Sequence, residues 1–237
     1  MELKLVLDFD GVLFNSAFEA YSVCNRTVAN QELPGREHYR QDVSFEEFLT
    51  FRAVVTDAWQ YNRLYDGRRL VEPADLPGTV PDAMDWDFST RFFAARAEMM
   101  VDPDWPKLMA PYDFFFLLRP LLLAHPDRFA ILSTRNVESI RRTLSFYDAD
   151  VVPVFGQEHI RSIGSKIAVA EAQGWLAKGD YLVVYVDDMN SHLEPFDGRV
   201  HLPLHAGWGY DHSDNNSMTQ HQVLTILSSM LKLAQKG

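Results

Sequence analysis

From Pro126 onward, short apolar runs alternate with segments of helical spacing, and most of the runs stop at small polar or acidic residues. Residues 129–132, 151–155, 181–186 and 200–204 read as strands, and residues 137–147, 165–176 and 218–234 as helices. Strand–helix–strand alternation needs a crossover at each step, so the strands are expected to run parallel under covering helices. One further strand, residues 3–7, stands alone at the start of the chain. The residues between are strand-poor. Helical spacing covers 18–29, then 44–64 with Ser44 as N-cap before Glu46 and Glu47, then a helix opening at Ser89, then 112–124. A proline- and glycine-rich stretch, 72–87, interrupts them. The pattern predicts an α/β fold with a doubly wound parallel sheet. Its core is discontinuous, 1–14 and 119–237, and a helical unit, 15–118, is inserted after the first strand.

Four segments at strand ends or helix starts carry groups suited to phosphate chemistry. Asp8-Phe9-Asp10-Gly11-Val12 follows the first strand, and alternation puts Asp8 and Asp10 on one side of the chain. Paired carboxylates repel unless one is protonated or a cation is present. On phosphate, one can attack phosphorus while the other donates a proton to the leaving group and then activates water. Gly11 lets the backbone pass close to a ligand; an acidic turn is the alternative reading. Ser133-Thr134-Arg135 follows the strand at 129–132, where a hydroxyl and free backbone N–H groups can hold phosphate oxygens or cap a helix. Lys166 sits in the first turn of a helix, unfavourable to the macrodipole unless an anion is nearby; taken alone it reads as a solvated surface lysine. Asp187-Asp188 ends the strand at 181–186, where Mg2+ would relieve their repulsion, or where they would cap the next helix. In a parallel α/β fold all four segments converge on the crevice at the carboxyl ends of the strands.

In this order the four segments resemble the motifs of the haloacid dehalogenase-like hydrolase superfamily: Asp8-Phe9-Asp10-Gly11-Val12-Leu13, Ile131-Leu132-Ser133, Lys166 and Val186-Asp187-Asp188. The resemblance spans the core and implies a Rossmann-like domain with a helical cap that closes over the crevice and selects the substrate. It implies Asp8 as nucleophile, Asp10 as general acid/base, Ser133 or Thr134 on the transferring phosphoryl group, with Gly11 and Arg135 beside the substrate. Lys166 would steady Asp8, and Mg2+ would be held by Asp8, the carbonyl of Asp10, and Asp187 or Asp188. An acid at position 10 points to phosphate rather than dehalogenation chemistry. The implied activity is hydrolysis of a small phosphorylated metabolite. A sugar-phosphate mutase or phosphotransferase, or a non-catalytic binding protein of the same fold, are the alternatives.

The 237 residues carry a net charge of -11, which opposes non-specific binding to nucleic acid or an anionic membrane but permits a small phosphorylated substrate. The single cysteine, Cys24, allows no intramolecular disulfide, and with no signal-like N-terminus the expectation is a cytoplasmic protein. His201, His205 and His212 lie close in sequence but read as strand and loop residues rather than a metal cluster. Arg36, Arg52, Arg63, Arg68 and Arg69 in the insertion read as solvated faces.

Overall fold

The computed structural model describes residues 2–177, 179, 181–211 and 217–235. Along the chain the elements are β1 (Glu2–Leu7), β2 (Phe14–Asn15), α1 (Ala17–Ala29), α2 (Phe45–Arg52), α3 (Asn62–Tyr65), α4 (Ala83–Met99), β3 (Ala110–Pro111), α5 (Asp113–Ala124), β4 (Phe129–Leu132) and α6 (Val137–Phe146). They continue with β5 (Val154–Phe155), α7 (Gln157–Ile163), α8 (Lys166–Ala172), β6 (Tyr181–Asp187), α9 (Asn190–Leu193), β7 (Leu202–His205) and α10 (Gln220–Ala234). The chain divides into two compact units, 1–15 with 110–237, and 16–109. The second crossing falls before the expected 118/119 boundary because α5 packs with α10 of the sheet-bearing unit.

In that unit five parallel strands stand in the order β5-β4-β1-β6-β7. The chain winds outward from β1 to β4 and β5, then returns across β1 to β6 and β7. This places a topological switch point beside the central strand. Val6, Ala130, Leu132, Val183 and Tyr185 pack against Val169 and Ala170 of α8. The intervening residues Leu5, Leu7, Ile131, Val184 and Val186 are also buried, so the sheet is covered on both faces. Val223, Leu227 and Leu231 form the buried stripe of α10, which lies against β1 and α5. β2 and β3 form a separate two-stranded antiparallel ribbon in which Asn15 faces Ala110.

The inserted unit has a core of its own, in which Val23, Phe48, Tyr65, Phe88 and Phe92 meet. α1 and α4 pack together, pinned by Arg96, whose Nε and second terminal nitrogen donate to the Glu19 carboxylate at 2.8 and 2.9 Å in a buried pair. The helix expected over 44–64 breaks into α2, a single turn at Ala58–Tyr61, and α3. The β-branched run Val54-Val55-Thr56 disfavours helix. After it the Gln60 side chain accepts the N–H groups of Thr56 and Asp57 and starts a new turn. α4 begins at Ala83 rather than Ser89, because the Asp82 carboxylate accepts from Met84 N and Asp85 N. Among the described residues, no helix is long and apolar enough to cross a membrane.

Candidate active site

β1 runs directly into Asp8, whose N–H donates to Val186 O at 2.9 Å and carries the β1–β6 ladder one residue past the strand. Its side chain is thereby fixed at the carboxyl edge of the sheet, next to the end of β6. Asp8 is buried, and its Oδ1 accepts no hydrogen bond among the described residues. The nearest cation is the Lys166 ammonium, 3.3 Å from that oxygen. Burial pushes the Asp8 carboxyl up to about 6, opposed by Lys166 and reinforced by Asp187.

Lys166 opens α8 after Ser165, whose hydroxyl accepts Ala168 N–H as the N-cap. Its ammonium donates to Asp187 Oδ2 at 2.7 Å and lies 3.1 Å from His192 Nδ1. Burial works to lower its pKa, but Asp187 and Asp8 hold it above the ordinary lysine value, so it stays charged. Asp187 is enclosed. Oδ2 accepts from Lys166 and from the Tyr185 hydroxyl, and Oδ1 accepts Met189 N–H at 3.0 Å and lies 3.2 Å from His192 Nδ1. Against the effect of burial, Lys166 and His192 keep its carboxyl well below the usual carboxylate range.

Asp188 turns the other way. Its Oδ2 accepts Tyr210 N–H at 2.6 Å, and its carboxylate lies against two glycines. A Cβ on Gly11 would stand 2.0 Å from Asp188 Oδ2, and one on Gly209 would stand 2.2 Å from Asp188 Cβ. Gly11 also adopts φ +81°, a left-handed conformation that side chains disfavour, so both space and backbone require glycine there. His205, at the end of β7, donates from Nε2 to Asp188 O at 2.9 Å, and its Nδ1 faces Ser217 Oγ at 2.8 Å. This holds the backbone of the acidic pair.

Asp10 is met by Arg135. The arginine Nε lies 3.0 Å from each oxygen of the Asp10 carboxylate, and one terminal nitrogen donates to Ser139 Oγ at 3.3 Å. The guanidinium of Arg135, a residue expected beside the substrate, lies on Asp10. Ser133 is fully buried, with its Oγ accepting Arg135 N–H at 3.3 Å, while Thr134 is half-buried. The sequence leaves the N–H groups here open to phosphate. Those of Ser133 and Arg135 are already committed, the former to Phe155 O at 2.9 Å.

The structure therefore brings Asp8, Lys166 and Asp187 into direct contact, sets Asp188 against the Asp8–Gly11 loop, and joins Asp10 to Arg135. Sequence reading missed Tyr185, His192 and His205. Tyr185 could have been found, since it lies two residues before Asp187 on the same side of the strand. His205 ends a strand as Asp187 does, whereas His192 had no signal beyond its place in the following turn. His201 Nδ1 accepts Val183 N–H at 3.2 Å as part of the sheet edge, and His212 lies outside the described residues.

Of the His, Asp, Glu and Cys groups described, Asp8, Asp187 and His192 stand close enough to share an ion, within 4.8 Å of one another. The Lys166 ammonium already lies against all three. Asp8 and Asp188 offer carboxylate oxygens, the kind of donor a hard divalent ion such as Mg2+ prefers. The Asp8 Oδ1 atom without a hydrogen bond fits that role.

No protein-family model matches the chain, and no curated protein matches it. Solved structures do. A predicted phosphoglycolate phosphatase from Haemophilus somnus superposes with TM-score 0.63 at 14% identity, over 95% of this chain and 98% of its own. A predicted phosphatase from Clostridium acetobutylicum gives 0.61 at 11%, over 97% and 99%. A haloacid dehalogenase-like family hydrolase from Streptococcus pneumoniae gives 0.60 at 12%, over 95% and 98%. The chain has the fold of haloacid dehalogenase-like hydrolases.

Proposed function

We propose that this chain is a Mg2+-dependent phosphatase that hydrolyses a small phosphorylated metabolite through an aspartyl-phosphate on Asp8. The observation that carries the reading is the Asp8 carboxylate: buried at the edge of the sheet, one oxygen without a hydrogen bond, and flanked by an ammonium that stays charged. A carboxylate so placed costs stability and has no packing purpose. The phosphatase names of the fold neighbours point the same way.

In this reading Asp8 attacks phosphorus and the P–O bond to the leaving group breaks. Asp10 gives its proton to the departing oxygen, then takes one from the water that cleaves the aspartyl-phosphate. Lys166 offsets the negative charge shared by Asp8 and the phosphoryl group, and the Ser133 hydroxyl or Thr134 orients that group. Mg2+, held by Asp8, the Asp10 carbonyl and Asp188, would neutralise phosphoryl charge. Asp187 is assigned to Lys166 rather than the ion, because both its oxygens already have protein partners.

The test is phosphate release from p-nitrophenyl phosphate with and without Mg2+, comparing the natural chain with Asp8→Asn. Mg2+-dependent release that the variant lacks is the expected result. Equal release by both proteins would remove Asp8 from the role.

A further inference from the structure

Arg135 is a closely held charged side chain beside the site, and the chemistry above gives it no task. Its side chain is 2% exposed, against 14% for Asp10. Its backbone is fixed on both sides: its N–H donates to Ser133 Oγ, and its carbonyl accepts Gln157 N–H at 2.9 Å. Gly156 permits that approach, since a Cβ there would stand 2.5 Å from Arg135 O. The guanidinium lies 5.8 Å from the Phe9 ring and is tied to Ser139 on α6. It presents its Nε to Asp10 at equal distance from both carboxylate oxygens.

A group that binds substrate gives its donors to the ligand, whereas this buried one gives its Nε to a carboxylate and a terminal nitrogen to Ser139. A group that hands a proton to a leaving oxygen and later takes one from water works only within a narrow range of distance and angle. An aspartate on a loop has two rotatable bonds with which to leave that range. We propose that Arg135 is a positioning residue, which holds the Asp10 carboxylate in one orientation for both proton transfers. The proposal rests on the phosphatase reading.

Two measurements test it, one independent of turnover. By NMR, the Arg135 Nε–H of the natural protein should give a downfield, exchange-protected signal that Asp10→Ala abolishes; an Nε–H that exchanges freely and ignores the substitution overturns the pair. With Mg2+ and a series of substituted aryl phosphates, Arg135→Met should lower kcat by about 10- to 100-fold with KM within about twofold. Its rates should also depend more steeply on leaving-group basicity, and Arg135→Lys should recover much of the loss. Calorimetry on both variants checks that they fold. A raised KM with unchanged kcat would make Arg135 a substrate-binding group instead, and an unchanged leaving-group dependence would likewise overturn the proposal. If the NMR pair is present and the natural protein hydrolyses no phosphate ester, the phosphatase reading is what has failed, and the positioning role falls with it.

Discussion

Asp8 ends up with a carboxyl at about 6 because burial outweighs the Lys166 ammonium. The unfolded value is near 3.8, so between about pH 6 and 4 the folded chain takes up a proton that the unfolded chain does not. The metal-free protein should therefore gain stability as pH falls from 7 to 5, by about 1.3 kcal/mol from this group. Asp187 does not interfere in that window. Its folded pKa is depressed, so its contribution is complete above the unfolded value and lost only in stronger acid. Asp8→Asn should abolish the rise between pH 7 and 5 and stabilise the metal-free protein at pH 7 by about 1–3 kcal/mol, as read by calorimetry. Gly11→Ala acts through Asp188: the new Cβ displaces the carboxylate and strains a positive φ. Mg2+ affinity by titration calorimetry should fall at least about tenfold. The acids at 8, 10, 187 and 188 were legible because carboxylates after apolar strands have few structural reasons to be there. The different partners of Asp187 and Asp188 were not, since they depend on Lys166 and Tyr210 arriving from elsewhere in the fold.

At the scale of elements, α8 shows how a locally poor choice is corrected by its surroundings. A lysine in the first turn opposes the macrodipole, yet it is retained between two carboxylates. Lys166→Met should leave two acids buried without their cation and lower unfolding stability by about 3–5 kcal/mol in chemical denaturation. The N-cap of α4 is a smaller case: Asp82→Ala removes the acceptor for two N–H groups and should cost about 1–2 kcal/mol in the same measurement. The central strands could be read from the sequence because burial on both faces demands an unbroken apolar run. α7, between Gly156 and Gly164, could not, since it is short, polar and without a buried residue. β2 and β3 are two residues each, too short for any alternation to register.

Across the whole molecule, every residue assigned a role lies within 1–15 or 110–237. Asn15 and Ala110 are register partners on adjacent antiparallel strands, a geometry that a two-residue Asn-Gly turn can close. A chain with residues 16–109 replaced by that turn should fold cooperatively, by circular dichroism and thermal melting, and in the proposed reading its Mg2+ affinity by titration calorimetry should match that of the full chain. Failure to fold would show that the sheet-bearing unit depends on the insertion for stability.

The same ribbon bears on how the chain finds its fold. Leu5 must pair with Phe129 across the entire insertion, and closing a loop costs entropy that grows with the logarithm of its length. If residues 16–109 collapse around their own core first, their ends meet and that length drops out of the loop. The remaining search is cheaper by about 1.3 kcal/mol, roughly eightfold in rate if the closure is rate-limiting. A substitution deep in the inserted unit, such as Phe88→Ala, should therefore slow the assembly of a sheet to which it does not belong.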